Sequence, residues 1–203
     1  IKNKVFVINN WWNPAYKELS ITDRSKPKFA IAIGRLEKVK DYYTALLSIK
    51  ELLKINKNII YKIVGYGSKE NTIRKWIDEM RINEYVQLII NPNDIFKYYS
   101  EADIFLLTSL FEGLPNTILE AMSYSLPVVS TNVGDTNQLI KHGENGFLCK
   151  IEDYENINKM LNALIINYQM RIDFGKINYN IINQKYSISV FRENYIKLIN
   201  NLH

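Results

Sequence analysis

Short apolar runs alternate with stretches of helical period along most of this chain, and that alternation predicts its architecture. FAIAI (Phe29–Ile33) reads as a strand, and Tyr42, Leu46, Ile49 and Leu53 mark the helix after it. IIYKIV (residues 59–64) reads as a second strand, followed by a helix through Ile73, Trp76, Ile77 and Met80. YVQLII (85–90), a short helix near 95–99, DIFLLT (103–108), a helix through Ile118, Leu119, Ala121 and Met122, PVVST (127–131), a helical turn near 136–140 and GFLC (146–149) continue the pattern. Strands that are apolar on both faces and separated by helices predict a parallel sheet covered on both sides. The expected fold class is therefore α/β, a doubly wound Rossmann-like sheet whose ligands sit at the carboxyl ends of its strands. From Asp153 onward the chain reads as helical, with Ile157, Met160, Leu161 and Leu164 on one face and Phe191, Tyr195, Leu198 and Ile199 on the face of the last helix.

The opening is different. VFVI (5–8) reads as a strand, and residues 9–28 are polar, hold two prolines and show no sustained period, so they read as a linker in which Trp11 and Trp12 are expected to pack back on the domain or to face a partner domain. The expected division is 1–28 as interdomain strand and linker, 29–184 as the Rossmann-like domain and 185–203 as a C-terminal helix. A start at Ile1, running almost at once into a strand, reads as a piece of a longer protein.

Three loops carry the chemistry. EGLPNTILEAM (112–122) sets two carboxylates, Glu112 and Glu120, around a Gly113-Leu114-Pro115 turn that opens a helix capped by Asn116 or Thr117. A strand feeding a glycine turn and a helix N-terminus gathers unpaired backbone N–H groups and the positive end of a helix dipole, which suits a diphosphate. Thr117-x-x-Glu120 is equally a capping box, and Glu112 an ordinary loop acid, so these residues alone leave both readings open. After the first strand, Gly34 relaxes the turn, and Arg35 and Lys40 supply a fork donor and a point cation. After the second, Gly65 and Gly67 let a ligand approach the backbone closely, and Ser68 caps the next helix.

Composition narrows the rivals. The chain has 203 residues, 47% hydrophobic and 23% charged, as expected of a globular protein with a substantial core. Its net charge of +5 is spread along the chain, so nucleic acid is not an expected partner. One cysteine, Cys149, excludes an internal disulfide, and no apolar stretch approaches the roughly 20 residues of a membrane span. A cytoplasmic location is expected, with peripheral contact at an anionic membrane surface compatible with the charge. With only His142 and His203, a histidine-dependent triad or metal cluster is disfavoured, and neither an Asp-x-Asp pair nor a Walker-type lysine loop is present. A dinucleotide-dependent oxidoreductase would need a glycine fingerprint that Gly34 alone does not supply.

The residues resemble the retaining glycosyltransferases of the group 1 class, which have the two-domain GT-B architecture. GRL followed by Lys40, then GYG, ADIFLLTSLFEGLPNTILEAM, LPVVSTNVG and HGENGF resemble that family's segments in order. The resemblance implies the C-terminal, nucleotide-sugar-binding half of such an enzyme, using a UDP- or GDP-sugar with no metal cofactor and lacking its N-terminal acceptor domain. It implies that Arg35 and Lys40 bind the donor diphosphate and stabilise the leaving nucleotide and that Glu112 contacts the transferred sugar. Glu120 would hold the ribose, and the segment from Gly113 to Thr117, with Leu114 and Asn116, would offer backbone N–H groups. A saccharide or lipid-linked acceptor in bacterial surface polysaccharide or glycolipid synthesis is the expected setting. A non-catalytic nucleotide-binding module of the same fold is the alternative. Asp41, Asn91, Ser125 and Asp135 stand where the family often has glycine.

Overall fold

The computed structural model describes residues 28–200, so the expected strand at 5–8 and the tryptophan-bearing linker lie outside the described residues. In chain order the elements are β1 (Phe29–Ile33), α1 (Tyr42–Leu52), β2 (Ile60–Gly65), α2 (Glu70–Met80), β3 (Val86–Ile90), α3 (Phe96–Glu101), β4 (Ile104–Leu107), α4 (Asn116–Ser123), β5 (Val128–Thr131), α5 (Thr136–Leu139), β6 (Gly146–Cys149), α6 (Tyr154–Ile166), α7 (Tyr168–Lys185) and α8 (Ile188–Asn200). A 3-10 turn at Lys38–Lys40 precedes α1. The six strands form one sheet in the order β3-β2-β1-β4-β5-β6, with every pairing parallel. This is the doubly wound arrangement, and the winding reverses between β1 and β4.

Alternation along each strand divides the core in two. On β1, Ala30 and Ala32 face one side and Ile31 and Ile33 the other. The first side is covered by α1, α2 and α6 through Leu46, Ile49, Ile73, Ile77, Ile157 and Leu161. The second is covered by α3, α4 and α5 through Tyr99, Ile118, Met122 and Leu139. The long α7 serves both, with Phe174 in one cluster and Ile182 in the other. β4 and β5 are buried along their whole length; β4 is accordingly a continuous apolar run, and β5 ends in Ser130 and Thr131, whose buried hydroxyls donate to the carbonyls of Thr131 and Ser109.

Several polar groups inside this core are bonded and tie elements together. Asp103, just before β4, accepts from the backbone N–H groups of Lys28 and Phe29 at 2.7 and 3.0 Å and so ties the start of β1 to its neighbour. Asn145, in the HGENGF turn, donates to Asn178 of α7 at 2.7 Å, and Asn178 donates to the carbonyls of Leu126 and Asn145. Arg171 of α7 donates to the carbonyls of Leu164 and Ile165, satisfying the C-terminal end of α6. Cys149 closes β6 as a buried residue, and burial beside Asp153 pushes its thiol up to about 11.

Three of the four departures from glycine adopt the left-handed backbone that glycine favours: Asp41 at φ 45°, Asn91 at φ 46° and Ser125 at φ 55°. Asp41 offsets that cost by capping α1, its carboxylate accepting from the N–H of Thr44. Asp135 has an ordinary φ of −93°, and the neighbouring Gly134 takes the left-handed turn at φ 52°.

The last helix forms as read, but its apolar residues do not enter the core: no residue of α8 is buried, Phe191 and Tyr195 stack on each other at 6.1 Å, and Tyr195, Ile196 and Ile199 are exposed.

Candidate functional site

The winding reverses between β1 and β4, where doubly wound sheets bind their ligands, and the loops leaving these two strands carry the candidate groups. Lys40, from the 3-10 turn after β1, meets Glu112, from the loop after β4, at 2.6 Å. Their side chains are only 13% and 15% exposed, so the pair is largely screened from solvent and holds the two loops together. Ser109 donates to the same carboxylate oxygen, Oε1 of Glu112, at 2.6 Å. Both bonds fall on Oε1, and Oε2 of Glu112 has no partner among the described residues. The loop after β1 is also anchored from β4 by Thr108, whose hydroxyl donates to the carbonyls of Lys40 and Asp41. Arg35 projects as an exposed side chain, without an ion-pair partner among the described residues.

Beside the pair begins α4. Pro115 is its N-cap, at φ −74°, and the Pro115 carbonyl accepts from Ile118 and Leu119. This corrects the expected cap at Asn116 or Thr117: proline's fixed φ starts the helix and its missing N–H costs nothing there. No backbone bond among the described residues occupies the N–H groups of Gly113, Leu114 or Thr117. The Thr117 hydroxyl is buried without a partner, so the capping box is not formed. Glu120 turns instead towards α3, where the Tyr99 hydroxyl donates to its Oε2 at 2.6 Å. Burial pushes the Glu120 carboxyl above the usual glutamate range, and the Tyr99 bond pulls it part of the way back.

The second glycine loop has a different structural role from the one its sequence suggested. A Cβ on Gly65 would stand 1.9 Å from the Gly34 carbonyl oxygen, and one on Gly67 would stand 2.5 Å from that of Leu36. The close approach these glycines permit is therefore made by the backbone of the neighbouring loop. Gly34 leaves space on its other side, where a Cβ would lie 3.5 Å from Cε of Lys40. Ser68 does not cap α2, whose N-cap is Lys69; its N–H and hydroxyl both donate to Glu37, at 3.0 and 2.8 Å. Those bonds hold the Glu37 carboxyl below its usual range and lock the second loop to the first.

The structure thus brings Lys40, Glu112 and the start of α4 together, with Glu120 one turn further in. Tyr99, Ser109 and Glu37 escaped the reading of the sequence. Ser109 is three residues before Glu112 and was open to a local reading; Tyr99 is 21 residues from Glu120, and only the fold joins them. A hollow of about 440 Å³ lies on the α1 and α2 side, walled by Lys38, Tyr43, Trp76 and Leu110 among others. None of Arg35, Lys40, Glu112 or Glu120 lines it. Among the described residues no group of three or more His, Cys, Asp or Glu side chains is arranged to hold a metal ion, and no helix is long and apolar enough to cross a membrane.

Sheet order and helix terminus define a Rossmann-like α/β domain with an anion-suited edge at its winding reversal. Its family follows from sequence: residues 18–181 match glycosyl transferases group 1, and the chain belongs to that family. It is 31% identical over 169 residues to an uncharacterized glycosyltransferase of Haemophilus influenzae, covering 83% of this chain and 48% of that protein. It is 28% identical over 181 residues to the UDP-Gal:alpha-D-GlcNAc-diphosphoundecaprenol alpha-1,3-galactosyltransferase of Escherichia coli, covering 83% of this chain and 45% of that one. The chain spans about half the length of these relatives. Its fold is shared with the C-terminal domain of a glycosyl transferase group 1 family protein from Francisella tularensis, at a TM-score of 0.73 and 21% identity, covering 88% of this chain and 96% of that domain.

Proposed function

We propose that this chain is the donor-binding part of a retaining, metal-independent glycosyltransferase, which takes a nucleotide-sugar and transfers the sugar to a saccharide or lipid-linked acceptor in bacterial surface polysaccharide or glycolipid synthesis. The observation that carries the reading is the Lys40–Glu112 pair at the winding reversal, set against the open N-terminus of α4. Lys40 keeps two further N–H donors beyond its bond to Glu112, and Arg35 adds a guanidinium, so the edge supplies cationic donors where a diphosphate leaving group gathers charge. The N–H groups of Gly113, Leu114 and Thr117 add dipoles of the same sign, with Asn116 beside them. Oε2 of Glu112 faces the transferred sugar and accepts from its hydroxyls, and Oε1 of Glu120 accepts from the ribose. Gly34, Gly65 and Gly67 shape the floor by letting the first two loops pack on each other. Retention and independence from metal follow from the family resemblance, and the E. coli relative's UDP-Gal makes a UDP-sugar the leading donor over a GDP-sugar. The site works in the cytoplasm, at or near the inner membrane face, and the acceptor is held by residues beyond this chain.

The division of labour between the two glutamates is testable by calorimetry. Glu120→Ala is expected to weaken free UDP or GDP about tenfold or more, the scale of one lost charged hydrogen bond. Glu112→Ala is expected to weaken the corresponding nucleotide-sugar more than the free diphosphate. Equal losses of free diphosphate in both variants would contradict this assignment.

A further inference from the structure

The Glu120 carboxylate stands on a flexible side chain, yet one of its oxygens is held rigidly. Tyr99 of α3 is fully buried; its ring stacks on Tyr124 at 5.5 Å and 23° and packs against Phe105 of β4 at 5.9 Å. A ring clamped in this way has a fixed hydroxyl, and its one proton is spent on Oε2 of Glu120 at 2.6 Å. Oε1 has no partner among the described residues and is not buried, so the carboxylate is presented with one oxygen anchored and one open.

We propose that Tyr99 is a positioning residue for nucleotide recognition: it aims the free oxygen of Glu120 at the ribose hydroxyls. This rests on the donor-binding reading given above. Preorganisation is the physical gain, because a carboxylate already fixed in its binding geometry loses less freedom when ligand arrives. The second gain is electrostatic. Burial favours the neutral carboxyl and the Tyr99 bond opposes it, since a hydrogen bond to the charged form stabilises that form. The groups around the pair are Tyr99 from α3, with Tyr124 and Tyr42 facing Tyr99, and Tyr99 itself stays protonated because burial and the Glu120 charge push its phenol well up. The hydroxyl of Tyr99 therefore acts as the donor that replaces a neighbouring cation.

Tyr99→Phe keeps the ring and removes the hydroxyl. Titrated with whichever of UDP and GDP binds the parent chain, this variant is expected to bind about tenfold more weakly at neutral pH. Its affinity is also expected to rise with pH at a higher pH than in the parent. The contrast between the nucleotide and its 2′,3′-dideoxy analogue is expected to shrink, because a carboxylate no longer aimed gains less from the ribose hydroxyls; a purely structural defect would weaken both nucleotides alike. Glu120→Gln still accepts from Tyr99 but cannot ionise, so its binding is expected to keep only the pH dependence of the nucleotide's own phosphate, and adding Tyr99→Phe to it is expected to produce no further shift with pH. If Tyr99→Phe matches the parent in affinity, pH profile and dideoxy contrast while Glu120→Ala binds weakly, the positioning role is overturned and the donor site stands. If Glu120→Ala also matches the parent, the donor-site assignment itself has failed.

Discussion

Lys40 and Glu112 form a partly buried ion pair, and such a pair contributes modest net stability because both charges lose water on approaching each other. Its value here is geometric, since it fixes the spacing of the loops after β1 and β4. Glu120 is the more informative group for solution behaviour. Its folded carboxyl holds its proton more tightly than an unfolded glutamate does, because burial penalises the charge. The folded state therefore binds more protons than the unfolded state just above the ordinary glutamate value, and the Glu120 contribution to stability falls as pH rises through that window to the raised value. Ligand affinity moves the other way, because the ionised carboxylate is the better acceptor for ribose hydroxyls. Thermal melting of the parent and Glu120→Gln across mildly acidic pH checks the sign: the parent is expected to lose stability relative to the variant as pH rises. Parallel curves would show that Glu120 does not titrate differently on folding. The two glutamates were legible as a candidate pair from their spacing, but their partners were not. Thr117-x-x-Glu120 satisfied a local rule, and a tyrosine 21 residues away outcompeted it.

The elements themselves were readable because both faces of the sheet are covered, which forces strands into continuous apolar runs and helices into a regular period. β1, β4, β5 and β6 lie within one residue of the runs read as strands, as do β2 and β3. Loop packing was not readable. Gly65 and Gly67 suggested room for a ligand, whereas their missing side chains admit the backbone of Gly34 and Leu36. Gly67→Ala is expected to cost about 1–3 kcal/mol, because its Cβ would press on unyielding backbone at 2.5 Å and displace the loop bearing Arg35. Gly113→Ala, with nothing within 4 Å of its added Cβ, is expected to stay within about 0.5 kcal/mol of the parent. Denaturant unfolding of the two variants measures this contrast, and equal destabilisation would contradict the close-approach account. Asp41, Asn91 and Ser125 teach the converse lesson: a position in left-handed conformation need not be glycine when the turn around it is fixed by other bonds.

Across the whole molecule, one parallel sheet places every carboxyl strand end along a single edge, and the winding reversal at β1 and β4 decides where that edge opens. Lys40, Glu112 and the α4 terminus gather there although 72 residues separate the two members of the ion pair. This edge is expected to bind a nucleoside diphosphate through ribose and diphosphate contacts. Calorimetric titration of the 203-residue chain with UDP, GDP, their hexose conjugates and NAD tests it most directly. Saturable binding of UDP or GDP, strengthened or matched by its sugar conjugate and weakened about tenfold or more by Glu120→Ala, is the predicted result. Binding of none of them, or tight binding of NAD alone, would contradict the account.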